Sequence, residues 1–469
     1  MRSFLYWAIQ HKWLLVAFLA GGLLLLPAPP QGLTEPGREA LVIALVAMIL
    51  FITQPIPLPA VALLIAVSQV LFRIATPTEV AQTFMNDSVF FILGSMMLGV
   101  VIVKQRLDRR LAVAIFRITG PKINRITLGL IIVSAGLASV IGEHTVAPIM
   151  FPVAMSLIRH ASEDPKKCPE LSALLLFSIA YACAIAGLGT PSGGARNAIM
   201  IEYWSRLYQI KVSYFEWIKY AYPMVVIQAP VLALVLLRSF SPEKSDLSTA
   251  IRKLRAQVFQ EGKMHSRDWL TVAIFGMTLL MWVFASGKIG LGTPALIGVS
   301  LYLIAGLVDW EDLNAGVNWG VFLIYASTIS LGGAIEDTGA AAWVARLFME
   351  GISGLGIQSG VALVSAVAIL AVAVSSFISR APALGILTPI VLNVALDTGT
   401  SVLAMGFVTA MSSAFTYMTV IGSPPNMIIF SSGYLQPRAY LRAGIWMTLA
   451  SLILLLALSQ TYWRLVLPI

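Results

Sequence analysis

Apolar residues in this chain neither alternate nor mark one helical face. They run on in blocks of the length that crosses a bilayer, roughly 17 to 25 residues with some tilt. Such blocks lie at 13–30, 39–54, 58–72, 88–104, 170–210, 217–238, 269–285, 293–308, 317–335, 402–433 and 439–467. Two more, at 126–158 and 360–395, are long enough to enter and return, and small or polar residues break each at its middle. The pattern predicts an all-α polytopic membrane protein with about eleven transmembrane helices and two re-entrant hairpins. The run Leu14 to Leu26 is read as the first helix rather than a signal peptide, because Pro27-Ala28-Pro29-Pro30 offers no small-x-small cleavage site.

Polar positions add orientation. Lys and Arg collect at block ends, and with the N-terminus in the cytoplasm most of the 31 fall on cytoplasmic ends, chiefly at 104–125 and 238–267. That bias gives an N-in, C-out topology. Residues 239–268 then form a cytoplasmic linker, predicted as a polar helix, between halves 1–238 and 269–469. The halves repeat. Val89-Phe90-Phe91-Ile92 recurs as Val321-Phe322-Leu323-Ile324, Pro59-Ala60 as Pro294-Ala295, and the loop ending at Asn197 as the loop ending at Asn426, at offsets of roughly 230. Each half holds early helices (13–104 in the first), a hairpin (126–158; 360–395) and an interrupted helix (170–210; 402–433). The first hairpin enters from the cytoplasm and the second from outside, so the repeats are inverted, the arrangement with which secondary carriers build a midplane site.

The interruptions carry the chemistry. One reads Gly187-Leu188-Gly189-Thr190-Pro191-Ser192-Gly193-Gly194-Ala195-Arg196-Asn197 and the other Thr419-Val420-Ile421-Gly422-Ser423-Pro424-Pro425-Asn426. Both are predicted to be non-helical over their length, freeing backbone groups at a depth where only a cavity, ion or ligand can take them. A lone break reads equally well as a packing kink; two at matching repeat positions point to a binding cavity.

Composition agrees. With 58% hydrophobic and 11% charged residues, the chain cannot dress a soluble globule, where charged residues make up about a quarter. Cys168 and Cys183 sit in no disulfide or zinc-ligand spacing and read as packing residues. The net charge of +9 is spread over helix ends, with no basic stripe for nucleic acid.

At this point the sequence resembles the divalent anion/sodium symporter (DASS, SLC13-like) family of dicarboxylate, citrate and sulfate carriers, within the wider ion transporter superfamily. The resemblance rests on Gly189 to Asn197, on Ser423-Pro424-Pro425-Asn426, and on hairpin arms ending in Pro152 and Pro389. It implies a scaffold of early helices, a moving transport domain that carries the hairpins, elevator-like alternating access and a homodimer. It also implies Ser-Asn-Thr at each hairpin tip, binding substrate carboxylate and framing sodium sites. Counting back from Pro152 and Pro389, this chain has Gly142-Glu143-His144 and Ser379-Arg380-Ala381 instead, and Ala195-Arg196 stands where the family has a proline pair. Sodium coupling therefore does not carry over.

Two intramembrane arginines cost at least about 2.5 to 3.5 kcal/mol each unless paired or hydrated, which makes Arg196 and Arg380 functional candidates by default. Their forks match a carboxylate or sulfate bidentately; the alternative for each is an ion pair with Glu143 or a reach to the interface. The candidate anion site comprises Arg380 and Ser379, with Thr190, Pro191, Ser192, Gly193, Arg196 and Asn197 from one loop and Ser423, Pro424, Pro425 and Asn426 from the other. Ser376 and Thr388 are further hydroxyl donors, unless they bond backbone. Glu143, His144 and Thr145 form the candidate coupling group, with a structural histidine the equal alternative for His144.

The leading reading is a multi-pass secondary carrier, symporter or exchanger, of a small anion, above all a dicarboxylate, in a bacterial-type inner membrane. Its expected partners are the substrate, the bilayer and a second copy; no cofactor, metal or nucleic acid is expected, and proton coupling or exchange is favoured over sodium. The alternatives are a sulfate-like inorganic-anion carrier, a cation/proton antiporter of the same superfamily, a receptor that binds without transport, and an intramembrane enzyme. The last is disfavoured because HExxH, GxSxG and a paired-carboxylate motif are missing.

Overall fold

A computed structural model describes residues 12–107, 120–161, 168–244, 246–248, 252, 264–354, 356–378, 380–420, 422–430 and 432–467. Half of the linker at 239–268, together with Ser379 and Ile421, thus lies outside the described residues. The first half contains α1 (Lys12–Leu25), α2 (Glu35–Thr53), α3 (Leu58–Leu71), α4 (Pro77–Phe84), α5 (Asp87–Lys104), α6 (Ile123–Ile141), α7 (Glu143–Ala161), α8 (Pro169–Ala186), α9 (Ala195–Tyr208) and α10 (Tyr214–Ser239). The second contains α11 (Ser266–Ile289), α12 (Gly292–Ile304), α13 (Trp310–Gly316), α14 (Trp319–Asp337), α15 (Ala340–Ser353), α16 (Gly360–Ile378), α17 (Arg380–Asp397), α18 (Val402–Ser412), α19 (Pro424–Phe430), α20 (Pro437–Gln460) and α21 (Tyr462–Val466). Ten of these helices are long and apolar enough to cross a membrane, and four shorter apolar ones accompany them. Among the described residues the only β pairing is one isolated bridge, Lys122 to Asp246.

Local chemistry explains where the elements differ from the apolar blocks. Helix α1 stops at Leu25 rather than residue 30, because the prolines that follow cannot continue it. Helix α2 is capped by Thr34 and ends on Gln54 in the left-handed region, φ 46°, just before Pro55, which disfavours helical geometry in its predecessor. Three elements had no apolar block to announce them. Helix α4 is set by the Thr76–Glu79 capping box, α13 is polar and seven residues long, and α15 buries only Ala340, Ala341 and Ala345.

From α3 onward most described helices have a counterpart in the second half in the same order, although α18 and α19 are shorter than α8 and α9 and α15 has no described counterpart, and their packing recurs too. Helix α3 packs on α14, and its counterpart α12 packs on α5; α6 and α7 enclose α8 as α16 and α17 enclose α18. Helix α7 meets α19 while α17 meets α9. The centre of this arrangement is α8, in which every residue from Leu171 to Ala186 is buried, as an all-round apolar helix requires. Large apolar side chains elsewhere face outward, such as Phe284 at 79% exposure, the surface that a bilayer covers.

Both hairpins are pairs of antiparallel helices. The first turns on Gly142, whose φ of +88° a side chain would resist. Opposite the hairpins, α14 presents a seam of small residues: a Cβ on Gly332 would lie 1.6 Å from Tyr203 Oη and 2.3 Å from Gly385 O, so α9 and α17 seat against bare backbone.

Candidate functional site

Each interruption is shorter than its sequence pattern implied. The first passes from α8 through Gly187 to a 3-10 turn at Pro191–Gly193, and helix resumes at Ala195, so Arg196 and Asn197 belong to the first turn of α9. The second resumes at Pro424, which places Pro424, Pro425 and Asn426 in α19. The prediction that these residues lie in non-helical loops is corrected accordingly: N–H groups of a first helical turn have no intrahelical acceptor, so proline costs nothing there.

The two asparagines hold the breaks closed in the same way. Asn197 Nδ2 donates to the carbonyls of Gly187 and Thr190, each at 2.7 Å. Asn426 Nδ2 donates to those of Thr416 at 3.0 Å and Thr419 at 2.8 Å. In both, the acceptors lie ten and seven residues back, so one structural device has been duplicated. The remaining loop hydroxyls are also engaged. Thr190 donates to the Ser139 carbonyl and accepts from Gly193 N–H, Ser192 shares a hydrogen bond of 2.7 Å with Tyr214, and Ser423 accepts from Asn426 N–H at 3.3 Å. Ser376 bonds the Val372 carbonyl one turn back, whereas buried Thr388 has no hydrogen-bond partner among the described residues.

The charged candidates converge. Glu143 begins α7 and Arg380 begins α17, equivalent positions at the two hairpin tips; Arg196 comes from the first turn of α9. Glu143 Oε1 lies 2.6 Å from Arg196 Nη1 and Oε2 lies 2.5 Å from Arg380 Nη1. All three side chains are buried. The ion-pair alternative raised for each arginine is thus realised in both, and a charge-assisted pair of this length is among the stronger polar interactions. Arg380 Nε also donates to Thr416 Oγ1 at 3.1 Å, and Thr416 donates to the Gly422 carbonyl, which ties the second tip to the second break. Arg380 Nη2 and Arg196 Nε have no hydrogen-bond partner among the described residues.

His144 Nε2 bonds the hydroxyl of Tyr325 on α14 and lies 4.0 Å from Glu143 Oε1, with Nδ1 unpartnered among the described residues. The triad and His144 line a cavity of about 440 Å3 whose other walls are Phe51, Gln54, Leu58 and Pro59 at the α2–α3 junction, Asn318 to Tyr325 at the start of α14, and Phe377, Pro424 and Met427. A second cavity of about 770 Å3 shares His144, Asn318, Pro424 and Met427, includes Thr145, and runs to Lys104 and Asp312. Both therefore open at one end of the bundle. At the other end Tyr203 donates to the Gly385 carbonyl at 2.9 Å, Arg206 pairs with Asp337 at 2.6 Å and Asn393 donates to Glu336 at 2.8 Å, and those bonds tie α9, α14 and α17 together.

Thr416 and Tyr325 were not singled out from the sequence. Thr416 lies in the second break region and carried a signal, its spacing of ten before Asn426 mirroring that of Gly187 before Asn197; Tyr325, on a helix far away in sequence, carried none.

The family model described as the sodium:sulfate symporter transmembrane region matches residues 8–469. The chain is 24% identical over 473 residues to the sodium-dependent dicarboxylate transporter SdcS of Staphylococcus saprophyticus, covering 94% of this chain and 90% of that one. It is 25% identical to SdcS of Staphylococcus aureus, covering 91% and 86%. Among solved structures, the Alcanivorax borkumensis YdaH transporter superposes with a TM-score of 0.50 at 13% identity over 82% of this chain and 86% of that one, a likeness of fold.

Proposed function

This chain belongs to the sodium:sulfate symporter family, a membrane transporter and not an enzyme, and on that premise we propose that it carries small organic dianions, dicarboxylates above all, without sodium. The observation that carries the proposal is the charged cluster at the head of the cavity. Two guanidinium groups and one carboxylate meet where both hairpin tips and one helix break converge, and each arginine keeps an unpartnered nitrogen. A substrate carboxylate is gripped by Arg380 and Arg196 through those donors, in a site too dry for an unpaired anion to be held otherwise. The permanent cations take the role that sodium ions play in a symporter with neutral tips: they offset part of the charge of the dianion. The relatives named sodium-dependent dicarboxylate transporters support the substrate class; the charged tips are the reason for departing from them on coupling.

The packing supports an elevator-like movement. The hairpins, α8, α9, α18 and α19 form the transport domain, and they slide against a scaffold of the early helices of each half, related as inverted repeats, with α14 as the contact surface. With the N-terminus cytoplasmic, the end lined by Lys104, Asp312 and Asn318 faces the cytoplasm, so this arrangement is the inward-open one, and the Tyr203, Arg206 and Asn393 contacts are its outer seal. A homodimer in the plasma membrane supplies the fixed frame. The test is purified protein in liposomes, screened with labelled succinate, citrate and sulfate under separately imposed sodium and proton gradients. Succinate or citrate flux in the absence of sodium supports the reading; flux of sulfate alone, or of protons without any organic anion, replaces it.

A further inference from the structure

Glu143 sits as a carboxylate ligand would sit. Its two oxygens take one guanidinium each, from different elements, and none of the three side chains is more than 4% exposed. A single carboxylate bridging two arginines is the geometry of a bound acid, yet here the acid belongs to the protein. The donors left over, Arg380 Nη2 and Arg196 Nε, are buried and without partners among the described residues, so an incoming carboxylate reaches them as Glu143 gives way.

We propose that Glu143 is the carrier's resident counter-anion: it occupies the arginine pair when no substrate is bound, yields part of it to the substrate carboxylate, and closes on it again for the empty return. The inference rests on the anion-carrier reading. Its force lies in charge arithmetic. Arg196, Arg380 and Glu143 sum to one positive charge, with His144 and Tyr325, the neighbouring groups that share a hydrogen bond, counted as neutral. A bound dianion turns that sum into one negative charge, so the empty and loaded transport domains carry charges of equal size. The cost of carrying charge through a low-dielectric barrier grows with its square. Without the Glu143 charge the loaded site is neutral and the empty one doubly positive, and the empty return costs roughly four times what it did. Such a carrier exchanges one substrate for another and cannot return empty. One side chain thereby decides between net transport and obligatory exchange.

The test compares, in liposomes clamped at zero potential, net succinate uptake into empty vesicles with exchange against internal succinate, for wild type, Glu143→Gln, Glu143→Asp and the double variant Glu143→Gln/Arg196→Gln. The readout is the ratio of net uptake to exchange, which a general loss of active protein leaves alone. In Glu143→Gln the ratio falls by about tenfold or more, and Glu143→Asp restores it in large part. The double variant returns the empty site to one positive charge and removes one of the two buried cations that Glu143→Gln leaves unpaired, so it is less destabilised than the single variant and recovers the ratio. A ratio unchanged in Glu143→Gln, a ratio that falls and is not recovered by the double variant, or a wild type that exchanges with no net uptake overturns the inference. A wild type that moves no organic anion in either mode overturns the carrier reading itself.

Discussion

Arg380 is the side chain whose replacement separates a substrate grip from a structural ion pair. It makes two bonds within the protein, to Glu143 Oε2 at 2.5 Å and to Thr416 at 3.1 Å, and keeps Nη2 free. Arg380→Gln removes the cation and strands one oxygen of a buried carboxylate. Breaking a buried pair on one side costs about 3 to 5 kcal/mol; here Arg196 still holds the other oxygen, so the stability loss falls near the lower end, about 3 kcal/mol. Arg380→Lys is the sharper probe. A lysine ammonium keeps the charge and the Glu143 contact but has no fork with which to hold Thr416 and a ligand as well. Folding is then nearly preserved while succinate affinity drops by about 1 to 3 kcal/mol, roughly five- to 150-fold in Kd. For Arg380→Gln the affinity loss reaches about 2 to 5 kcal/mol. Calorimetric titration with succinate gives the Kd values, and thermal unfolding with gel filtration reports the fold. Should both variants stay folded and bind succinate as tightly as wild type, Arg380 serves only to neutralise Glu143, and the anion site has to be rebuilt around Arg196 and the two breaks.

Three further outcomes follow from the same geometry. Succinate exchange persists when sodium is replaced by a large organic cation on both sides of the vesicle; collapse without sodium and recovery at millimolar sodium would refute the built-in cations. Asn426→Ala and Asn197→Ala each strand two carbonyls and lower stability by about 2 to 5 kcal/mol, by similar amounts because the two devices match, as thermal unfolding in detergent will report; a large loss in one and none in the other would mean that only one break depends on its asparagine. Gly332→Ala places a methyl group 1.6 Å from Tyr203 Oη, which the sealed arrangement cannot hold, so a cysteine introduced at Asn393 becomes more reactive toward an impermeant maleimide added from the Asp337 side. An unchanged labelling rate shows that the seam has slack.

How much of this was legible in the sequence depends on the range of the interaction. The long apolar helices could be read because one continuous block suffices to call a membrane helix, and Gly142 and the loop glycines and prolines marked where helices stop. Helices α4, α13 and α15 escaped notice because none is an apolar block: caps or one small-residue face define them. The loop boundaries were drawn too wide because proline and asparagine read as breakers, although at the first turn of a helix they act as starters. The charged candidates were visible as residue types that a bilayer excludes. Their mutual pairing was one of two readings left open, since nothing local in a sequence says whether an arginine 237 positions from a glutamate meets it or meets a ligand. Tyr325, which completes the surroundings of His144, comes from the other half and had no local cue.

The equivalence of the two tips gives the charge pattern its logic. Glu143 and Arg380 each open the second arm of a hairpin, and Asn197 and Asn426 each stitch a break at the same spacing. Halves that pack in matching pairs bring the two tips close together, so a charge of one sign at both tips would face its own likeness in a buried site. Neutral polar tips avoid the conflict by symmetry. This chain avoids it by divergence, with an acid at one tip and a base at the other, which turns a repulsion into a bond of 2.5 Å. Divergence of that pair alone leaves the site without net charge and without reason to attract an anion. The third charge supplies it: Arg196 stands next to Asn197, where the other half has Pro425 beside Asn426. The net positive charge of the three side chains therefore exists only because the halves differ at that position.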